Sequence, residues 1–400
     1  MMRLMATAAA LVCAACGSAP PGAVTKCATT AVVPGAVKTD ILFVVDDSGS
    51  MAAEQANLAT NFQVFIDALA ASPVKNDFQI GITTTSIDRN VGSGASATLA
   101  ATFPATTTEC PSGQNPNAGQ PYPAGALVAM DAAGHQLTSS AGRILSAASP
   151  TLVQDFTRNV NVGVCGSGKE QGLRAARLAL SEPLLSGANA GFLRAGSRLA
   201  VIVVSDANDC SDPGDGLGHP LVEPSDVSTC QQKAEQVADF VQFLKGPLGG
   251  QARDVVVATI ASVDPTTLQP ASCTGAGGTA ENPAPRYVEF AAAFGTKSAV
   301  ASICDASFAS TLQTIAGLIA TQTVPLSEEP ADWRLLGVSV ARAAGSTASC
   351  KVGLEGDVSA ADADAIYAPP QVGRPASLTF QRDCRLAQGD DVHVQVLCAG

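Results

Sequence analysis

Acidic and hydroxyl side chains alternate along one short segment, Asp46-Asp47-Ser48-Gly49-Ser50. Its D-x-S-x-S spacing brings one carboxylate and two hydroxyls, those of Asp46, Ser48 and Ser50, to a tight turn. Gly49 allows the backbone to fold back at that turn. Oxygen donors of this kind suit a hard divalent cation, and Mg²⁺ keeps water at its remaining positions. The segment therefore predicts a site for a metal ion.

Two further segments carry groups that could join such a site. The segment 205–209, SDAND, follows an apolar run and offers a second carboxylate, Asp206. The glycine-rich segment 163–170, GVCGSGKE, leads into a helical pattern. Ligands of an open α/β sheet bind beyond the carboxyl ends of the strands, where the loops converge. We therefore expect the three segments to lie together.

The elements that must position these loops alternate between strands and helices. Apolar runs typical of strands in a parallel sheet occur at 41–45, 78–82, 199–204 and 255–260. Apolar residues spaced by three and four predict helices at 58–69, 169–182, 231–244 and 306–322. This alternation predicts an α/β fold with a doubly wound, mostly parallel sheet flanked by helices.

Composition shifts predict the domain organisation of the 400 residues. We expect a signal peptide with a lipidation site at 1–16, a tether at 17–38, an α/β domain at 39–324 and a small disulfide-containing β-rich region at 325–400. The segment near 86–150 is rich in Gly, Ser, Thr, Pro and Ala, and is interpreted as a long insertion in the α/β domain.

The stretch from Asp40 to about Gln322 resembles a von Willebrand factor type A domain with a metal-ion-dependent adhesion site. That family combines D-x-S-x-S after the first strand, a Thr in a later loop and an Asp after the fourth strand. Here Asp46, Ser48 and Ser50 match the first element. Asp206 matches the last.

The resemblance implies a set of metal ligands and a kind of partner. Ser167 stands in the place of the family's Thr, so a hydroxyl is kept and a methyl is lost. Asp46 and Asp206 would act mostly through coordinated water, while Ser48, Ser50 and Ser167 would ligate directly. Mg²⁺ (or Mn²⁺ or Ca²⁺) held by neutral hydroxyls stays electrophilic and accepts a carboxylate from a protein or surface polymer.

These motifs also have interpretations other than the predicted metal site. Ser50 could simply cap the following helix. A serine peptidase needs a histidine base, and none of the three histidines lies in a suitable motif. A P-loop needs Ser or Thr where Glu170 stands. The acidic residues that follow Asp206 lack EF-hand spacing, which favours a solvated loop and leaves a calcium role as the alternative.

The amino terminus is typical of an export signal. Arg3 precedes the apolar stretch Leu4–Ala15, which is too short to span a membrane. Ala14-Ala15-Cys16-Gly17 resembles a bacterial lipobox, although Cys13 stands where Leu is usual. We expect lipidation at Cys16 and an outer-membrane or cell-surface location. The periplasmic side and simple secretion are the alternatives.

The cysteines indicate an oxidising compartment. Of the 12 cysteines, ten remain once Cys13 and Cys16 are set apart, and an even number in an exported chain favours disulfides. Zinc is disfavoured because those ten include no C-x-x-C pair and the three histidines lie far apart. Proximity in sequence favours the pairs Cys210–Cys230 and Cys273–Cys304.

Composition excludes some classes of function. The formal net charge is −12, and no run of Lys or Arg occurs, so binding to nucleic acid is not expected. A hydrophobic share of 46% with only 14% charged residues is not that of a disordered polymer.

The sequence thus predicts an envelope or surface lipoprotein that binds a partner through a divalent metal and is not an enzyme. A structural or assembly component with a vestigial metal site is the first alternative. A non-catalytic subunit of an enzyme assembly is the second.

Overall fold

The structure is a computed structural model that describes residues 25–26 and 37–398. Short gaps in the described part fall at 73, 75, 109, 111–112, 223–226, 281, 321, 327–328, 331, 372–375, 388–389. The lipidation site expected at Cys16 lies outside the described residues, as does most of the tether.

The strands follow one another along the described chain as β1 Thr25–Lys26, β2 Val37–Val45, β3 Asn76–Thr84, β4 Arg89–Val91, β5 Thr98–Ala100, β6 Ile144–Ser146, β7 Arg198–Val204, β8 Val255–Ala261, β9 Cys273–Gly275, β10 Gly278–Ala280, β11 Ser298–Ser302, β12 Thr323–Pro325, β13 Leu336–Ala341, β14 Thr347–Cys350, β15 Val352–Leu354, β16 Ala365–Ala368, β17 Ser377–Phe380, β18 Asp391–Cys398. The α-helices are α1 Ala52–Ala70, α2 Leu152–Val160, α3 Gly172–Ala179, α4 Val227–Lys233, α5 Val237–Lys245, α6 Pro285–Ala292, α7 Ala309–Ile319.

A six-stranded sheet forms the centre of the fold, in the order β11-β8-β7-β2-β3-β6. All neighbours pair in parallel except β6, which runs antiparallel to β3 at the edge. Val45 at the end of β2 aligns with Thr84 of β3 and Val204 of β7. The loops that follow these three strands therefore leave the sheet at the same edge, which we call the carboxyl edge.

Helices cover both faces of this sheet, as the sequence predicts for its mixed α/β class. Successive residues of β2 point to opposite faces, so Phe43 lies in one core and Leu42 in the other. The first core is closed by α1, α2 and α7, and the second by α3, α5 and α6. Phe43 packs edge-on against Phe65 and Phe156 in the first core, an arrangement that aromatic pairs favour.

The C-terminal part is rich in β-structure, as predicted. One sheet has the order β1-β18-β13-β14 and the other the order β12-β17-β16-β15. They share a core that includes Val340, Leu378 and Phe380. A disulfide joins Cys350 to Cys384 at that core.

Two predicted helices differ from those observed. The predicted helix 231–244 breaks between α4 and α5, because the Glu235 N–H donates to the Ser211 carbonyl (2.9 Å) and the Glu235 carbonyl accepts from Arg286 (2.6 Å). The predicted helix 169–182 is shorter and begins at Gly172, since the Gln171 N–H donates to the Thr85 carbonyl (3.1 Å) and the Glu170 carbonyl accepts from the Cys210 N–H (2.6 Å).

The described residues of 86–150 include the short hairpin β4–β5, a 3₁₀ turn at Gly94–Ser96 and the edge strand β6. Among the described residues, no helix is both long and apolar enough to cross a membrane.

Candidate metal centre

Asp46 links the first and last of the predicted loops at the carboxyl edge. Its N–H donates to the Val204 carbonyl (2.9 Å), which extends the pairing of β2 with β7. Its carboxylate is fully buried and accepts hydrogen bonds from the Ser48 N–H (2.8 Å) and the Ser205 hydroxyl (2.6 Å). Both carboxylate oxygens are therefore held in place by neighbouring loops.

Asp206 lies beside Asp46, as the sequence predicts for two loops that leave neighbouring strands. Its side chain is almost fully buried and is hydrogen-bonded to the Ser50 hydroxyl. Burial, then the charge of Asp46, raises the pKa of Asp206 to about 7. Burial likewise raises the pKa of Asp46, although the hydrogen bond from Ser205 lowers it in part. The structure thus brings Asp46, Ser50 and Asp206 together.

Several buried oxygen atoms at this edge have no hydrogen-bond partner. The Ser48 hydroxyl is 4% exposed and forms no hydrogen bond of good geometry. Asp47 Oδ2 and both carboxylate oxygens of Glu54 are also buried and unpaired. Unsatisfied buried oxygens are costly, because each has lost its water without gaining a partner. A cation would compensate them.

The glycine-rich loop packs directly on Asp47. The Gly166 N–H donates to the Asp47 carbonyl (2.8 Å), and a Cβ on Gly166 would lie only 2.3 Å from Asp47 Cγ. The Ser86 hydroxyl donates to Asp47 Oδ1 (2.7 Å) and accepts from the Ser167 N–H (2.8 Å). Glycine at 166 is therefore required for the close approach of this loop to the D-x-S-x-S turn.

Ser167 is in the predicted loop, but its hydroxyl is engaged elsewhere. It donates to the Asp88 carbonyl (2.8 Å) and accepts from the Lys169 N–H (3.1 Å). The backbone of Ser167 therefore lies at the site, while its hydroxyl is occupied by the Asp88 carbonyl and the Lys169 N–H.

Glu170 is a site residue that the sequence analysis missed. Its side chain is 6% exposed, and its carbonyl accepts from the Cys210 N–H (2.6 Å), which ties it to the loop after β7. Burial, then the charges of Asp46, Asp206 and Asp47, raises the pKa of Glu170 well above its usual value. The available signal was a carboxylate in the same loop as Ser167, three residues further along the chain.

Glu54 and two polar neighbours were missed as well. Glu54 lies in the first turn of α1, and burial raises its pKa, with the charge of Asp46 adding to the rise. The Thr85 hydroxyl donates to Asp46 Oδ1 (3.4 Å). The Gln55 amide donates to the carbonyls of Asp46 (2.9 Å) and Gly163 (2.8 Å), and so clamps two loops. Polar residues early in a helix carry no distinctive sequence signal.

Five buried carboxylates lie at the carboxyl edge. We call Asp46, Asp47, Glu54, Glu170 and Asp206 the edge carboxylates. None of them has a salt-bridge partner among the described residues.

Basic side chains instead pair with a second group of acids. Lys169, fully buried, bonds to Asp88 (3.2 Å) and Asp212 (2.6 Å). Arg286 bonds to Asp209 (2.9 Å). The edge carboxylates therefore form an anionic cluster that the protein's own cations do not balance.

Disulfides tie down the loops of the carboxyl edge. Cys110 is bonded to Cys165, which joins the insertion to the glycine-rich loop. Cys210 is bonded to Cys230 and Cys273 to Cys304, the two pairs favoured by the sequence. Such bonds persist in oxidising compartments, in keeping with an exported protein.

In the described part of the chain, no three His, Cys, Asp or Glu side chains converge closely enough to hold an ion by themselves. The predicted ligand set is of another kind, since it combines two carboxylates with hydroxyls. The fit of this set to a cation is supported by the unpaired Ser48 hydroxyl and the uncompensated edge carboxylates.

No protein-family model matches the chain, and no curated protein matches it. Among solved structures, the pilus adhesin SpaC from Lactobacillus rhamnosus GG in its open conformation is 12% identical, with a TM-score of 0.40, over 93% of this chain. A second structure of that adhesin is 11% identical, with a TM-score of 0.34, over 92% of this chain. The chain spans 40% and 39% of the adhesin's length in the two. Likeness at this level assigns no function.

Proposed function

We propose that this protein is an exported, lipid-anchored binding protein whose α/β domain is of the von Willebrand factor A type. It holds a divalent metal at the carboxyl edge and uses it to bind a protein or surface polymer, and it is not an enzyme. The lipid on Cys16 anchors the chain at the outer membrane or the cell surface, and the tether lets the domain stand away from the membrane.

One observation carries the proposal. Asp46 and Asp206, from two neighbouring strands, lie buried side by side, and a buried Ser48 hydroxyl with no partner lies at the same turn. Two like charges in a desolvated site raise each other's pKa unless a cation neutralises them. Mg²⁺, Mn²⁺ or Ca²⁺ would supply that charge, and hard cations take carboxylate and hydroxyl oxygens.

Each residue has a role in this proposal. Ser48 and Ser50 hold the ion through their hydroxyls, while Asp46 and Asp206 neutralise part of its charge through water. The second loop contributes Ser167 only if its hydroxyl leaves the Asp88 carbonyl, while the buried Glu170 of the same loop adds negative charge that the ion would offset. The metal supplies an electrophilic position for a carboxylate of the partner.

Calorimetric titration of Mg²⁺ and Mn²⁺ into the metal-stripped mature chain, residues 17–400, tests the site. Ser48→Ala removes a buried hydroxyl that forms no hydrogen bond of good geometry, so we expect it to weaken metal binding by about tenfold or more with little change in stability. Ser140→Ala, at an exposed serine, is the matched control and leaves the heats unchanged. Equal affinities in all three proteins would contradict the proposed ligand set.

Binding to the partner is tested separately. Bacterial envelopes are incubated with the mature chain, with Mg²⁺ or with a chelator, and with carboxylate-blocked envelopes as a third arm. We expect retention that requires both the metal and free carboxylates. Retention that is indifferent to the chelator would favour the structural alternative, in which the metal site is vestigial.

A further inference from the structure

A cleft of about 450 Å³ lies at the opposite edge of the central sheet, between the α/β domain and the C-terminal β-rich region. The amino ends of four neighbouring parallel strands, β2, β7, β8 and β11, form one wall. Residues of the C-terminal sheets, including Pro325 and Ser377, form the other. Its volume is that of a pocket for a small molecule.

Each of the four strands brings one cation to this cleft. They are Lys38 in β2, Arg198 in β7, Arg253 just before β8, and Lys297 just before β11. The carboxylates that line it are Asp254 and Glu355. The lining therefore carries two more positive than negative charges, although the whole chain has a net charge of −12.

The local carboxylates leave part of this positive charge uncompensated. Asp254 is shared between Arg198 (2.9 Å) and Lys297 (2.8 Å). Lys38 is exposed, and its ammonium group forms no hydrogen bond or ion pair with any described residue. An unpaired lysine at the mouth of a basic cleft can bind an anion at little cost, since it gives up no partner.

Arg253 is also without a carboxylate partner. Its guanidinium is half-buried and donates to neutral oxygens: the carbonyls of Arg194 (2.6 Å) and Ser197 (3.1 Å), the Ser197 hydroxyl (2.7 Å) and the Leu248 carbonyl (3.2 Å). These contacts hold the guanidinium in one position, and the carboxylate that attracts it, Asp40, is itself paired with Arg194 (2.7 Å). A positioned, partly desolvated cation is well suited to bind an oxyanion.

We propose that this cleft binds a small anion that carries carboxylate or phosphate groups, with Lys38 and Arg253 as its main contacts. A ligand that binds only the folded chain stabilises it, so the bound anion raises the unfolding midpoint. The site lies at the other end of the strands from the edge carboxylates, so it does not depend on the metal.

The test is calorimetry on the metal-stripped mature chain at constant ionic strength, with inorganic phosphate and succinate as probes and succinamide as the neutral counterpart of succinate. We expect saturable heat from at least one anion, none from succinamide, and a raised unfolding midpoint with the bound anion. Comparing phosphate with succinate tells which oxyanion the cleft prefers.

Variants assign the binding to the cleft. Lys38→Gln and Arg253→Gln should each weaken anion binding by about tenfold. Lys351→Gln, at an exposed lysine outside the cleft, should leave it unchanged. Because the Lys38 side chain is exposed and unpaired, Lys38→Gln should keep the fold. The test therefore remains valid even if Arg253→Gln does not fold. No heat from either anion, or equal affinity in Lys38→Gln and Lys351→Gln, would overturn the proposal.

Discussion

The two edges of the central sheet differ in charge although the same strands run between them. At the carboxyl edge, burial brings together carboxylates such as Asp46 and Asp206 that no basic residue of the described chain balances. At the amino edge, Lys38 and Arg253 lack carboxylate partners. The contrast shows that a parallel sheet can carry unpaired negative charge at one edge and unpaired positive charge at the other, because its two edges are built from different loops.

The edges also differ in how their loops are fixed. Three disulfides tie loops at the carboxyl edge, including Cys110–Cys165 in the glycine-rich loop. The cleft at the amino edge is lined instead by strand ends and by the C-terminal region. Loops that are long and polar need covalent ties to keep a fixed geometry, whereas strand ends are already held by the sheet.

The largest effect is expected from removing the Cys110–Cys165 disulfide by substitution of both cysteines with Ala. A bond across 55 residues should stabilise the protein by about 4 kcal/mol. Because Cys165 lies in the glycine-rich loop, Mg²⁺ affinity should fall as well. Removing Cys350–Cys384, which spans 34 residues in the C-terminal region, should cost about as much stability but leave Mg²⁺ affinity unchanged. Urea unfolding and metal titration measure the two quantities, and a parallel loss of affinity in both variants would remove the distinction.

Asp46→Asn should lower Mg²⁺ affinity by at least about a hundredfold, or about 2.7 kcal/mol. The substitution keeps the size of a side chain that is fully buried but removes the charge that the ion needs. Asp239→Asn, at an exposed position of α5, is the matched control and should bind Mg²⁺ like the wild type. Calorimetry on the three proteins decides, and normal binding by Asp46→Asn would refute a metal site at this edge.

Gly166→Ala should destabilise the protein by about 2 kcal/mol, because its Cβ would overlap Asp47. Gly168→Ala, two residues along the same loop, meets nothing within 4 Å and should change stability by less than about 0.5 kcal/mol. Urea unfolding of both variants gives the comparison. Similar losses in the two would show that the loop does not pack on Asp47 as described.

The metal-free protein should lose stability as the pH rises from about 4 to 7. Burial raises the pKa of Asp47 and of Asp206 to about 7, so the folded chain keeps protons that the unfolded chain releases above its ordinary pKa of 3.8. The free energy of unfolding then falls with pH, by up to about 1.4 kcal/mol per unit for each group.

Asp206→Asn should reduce this slope, and saturating Mg²⁺ should reverse it, because the ion binds the charged carboxylates. Urea unfolding at a series of pH values, with and without Mg²⁺, measures the effect. A slope that Asp206→Asn leaves unchanged would mean that Asp206 is not a source of the pH dependence.

Prediction from sequence succeeded where a pattern is local. The strands β2, β7 and β8 are continuous apolar runs, and their order along the chain with intervening helices leads to a parallel sheet. The approach of Asp46 to Asp206 follows from the same rule, because the ends of parallel strands meet at one edge. The two short disulfide loops, closed at Cys230 and Cys304, were favoured by proximity alone.

Prediction failed where a long-range contact overrides a local pattern. The apolar spacing of 231–244 predicts one continuous helix, but the backbone contacts of Glu235 break that helix in two. The helix α6 is short and begins at a proline, so its pattern was too brief to be seen. The hydroxyl of Ser167 donates to the Asp88 carbonyl, 79 residues away in sequence, a contact that no local pattern indicates.

Residue types and their spacing were enough to predict the fold class, the export signal, and the turn of oxygen donors after the first strand of the central sheet. The tertiary structure was needed to place Glu170 and Glu54 near that turn. It was also needed to show that four cations from the starts of four strands, including Lys38 and Arg253, line one cleft. The physical reason is that charge and burial at a site are summed over residues far apart in the chain, and no local pattern records that sum.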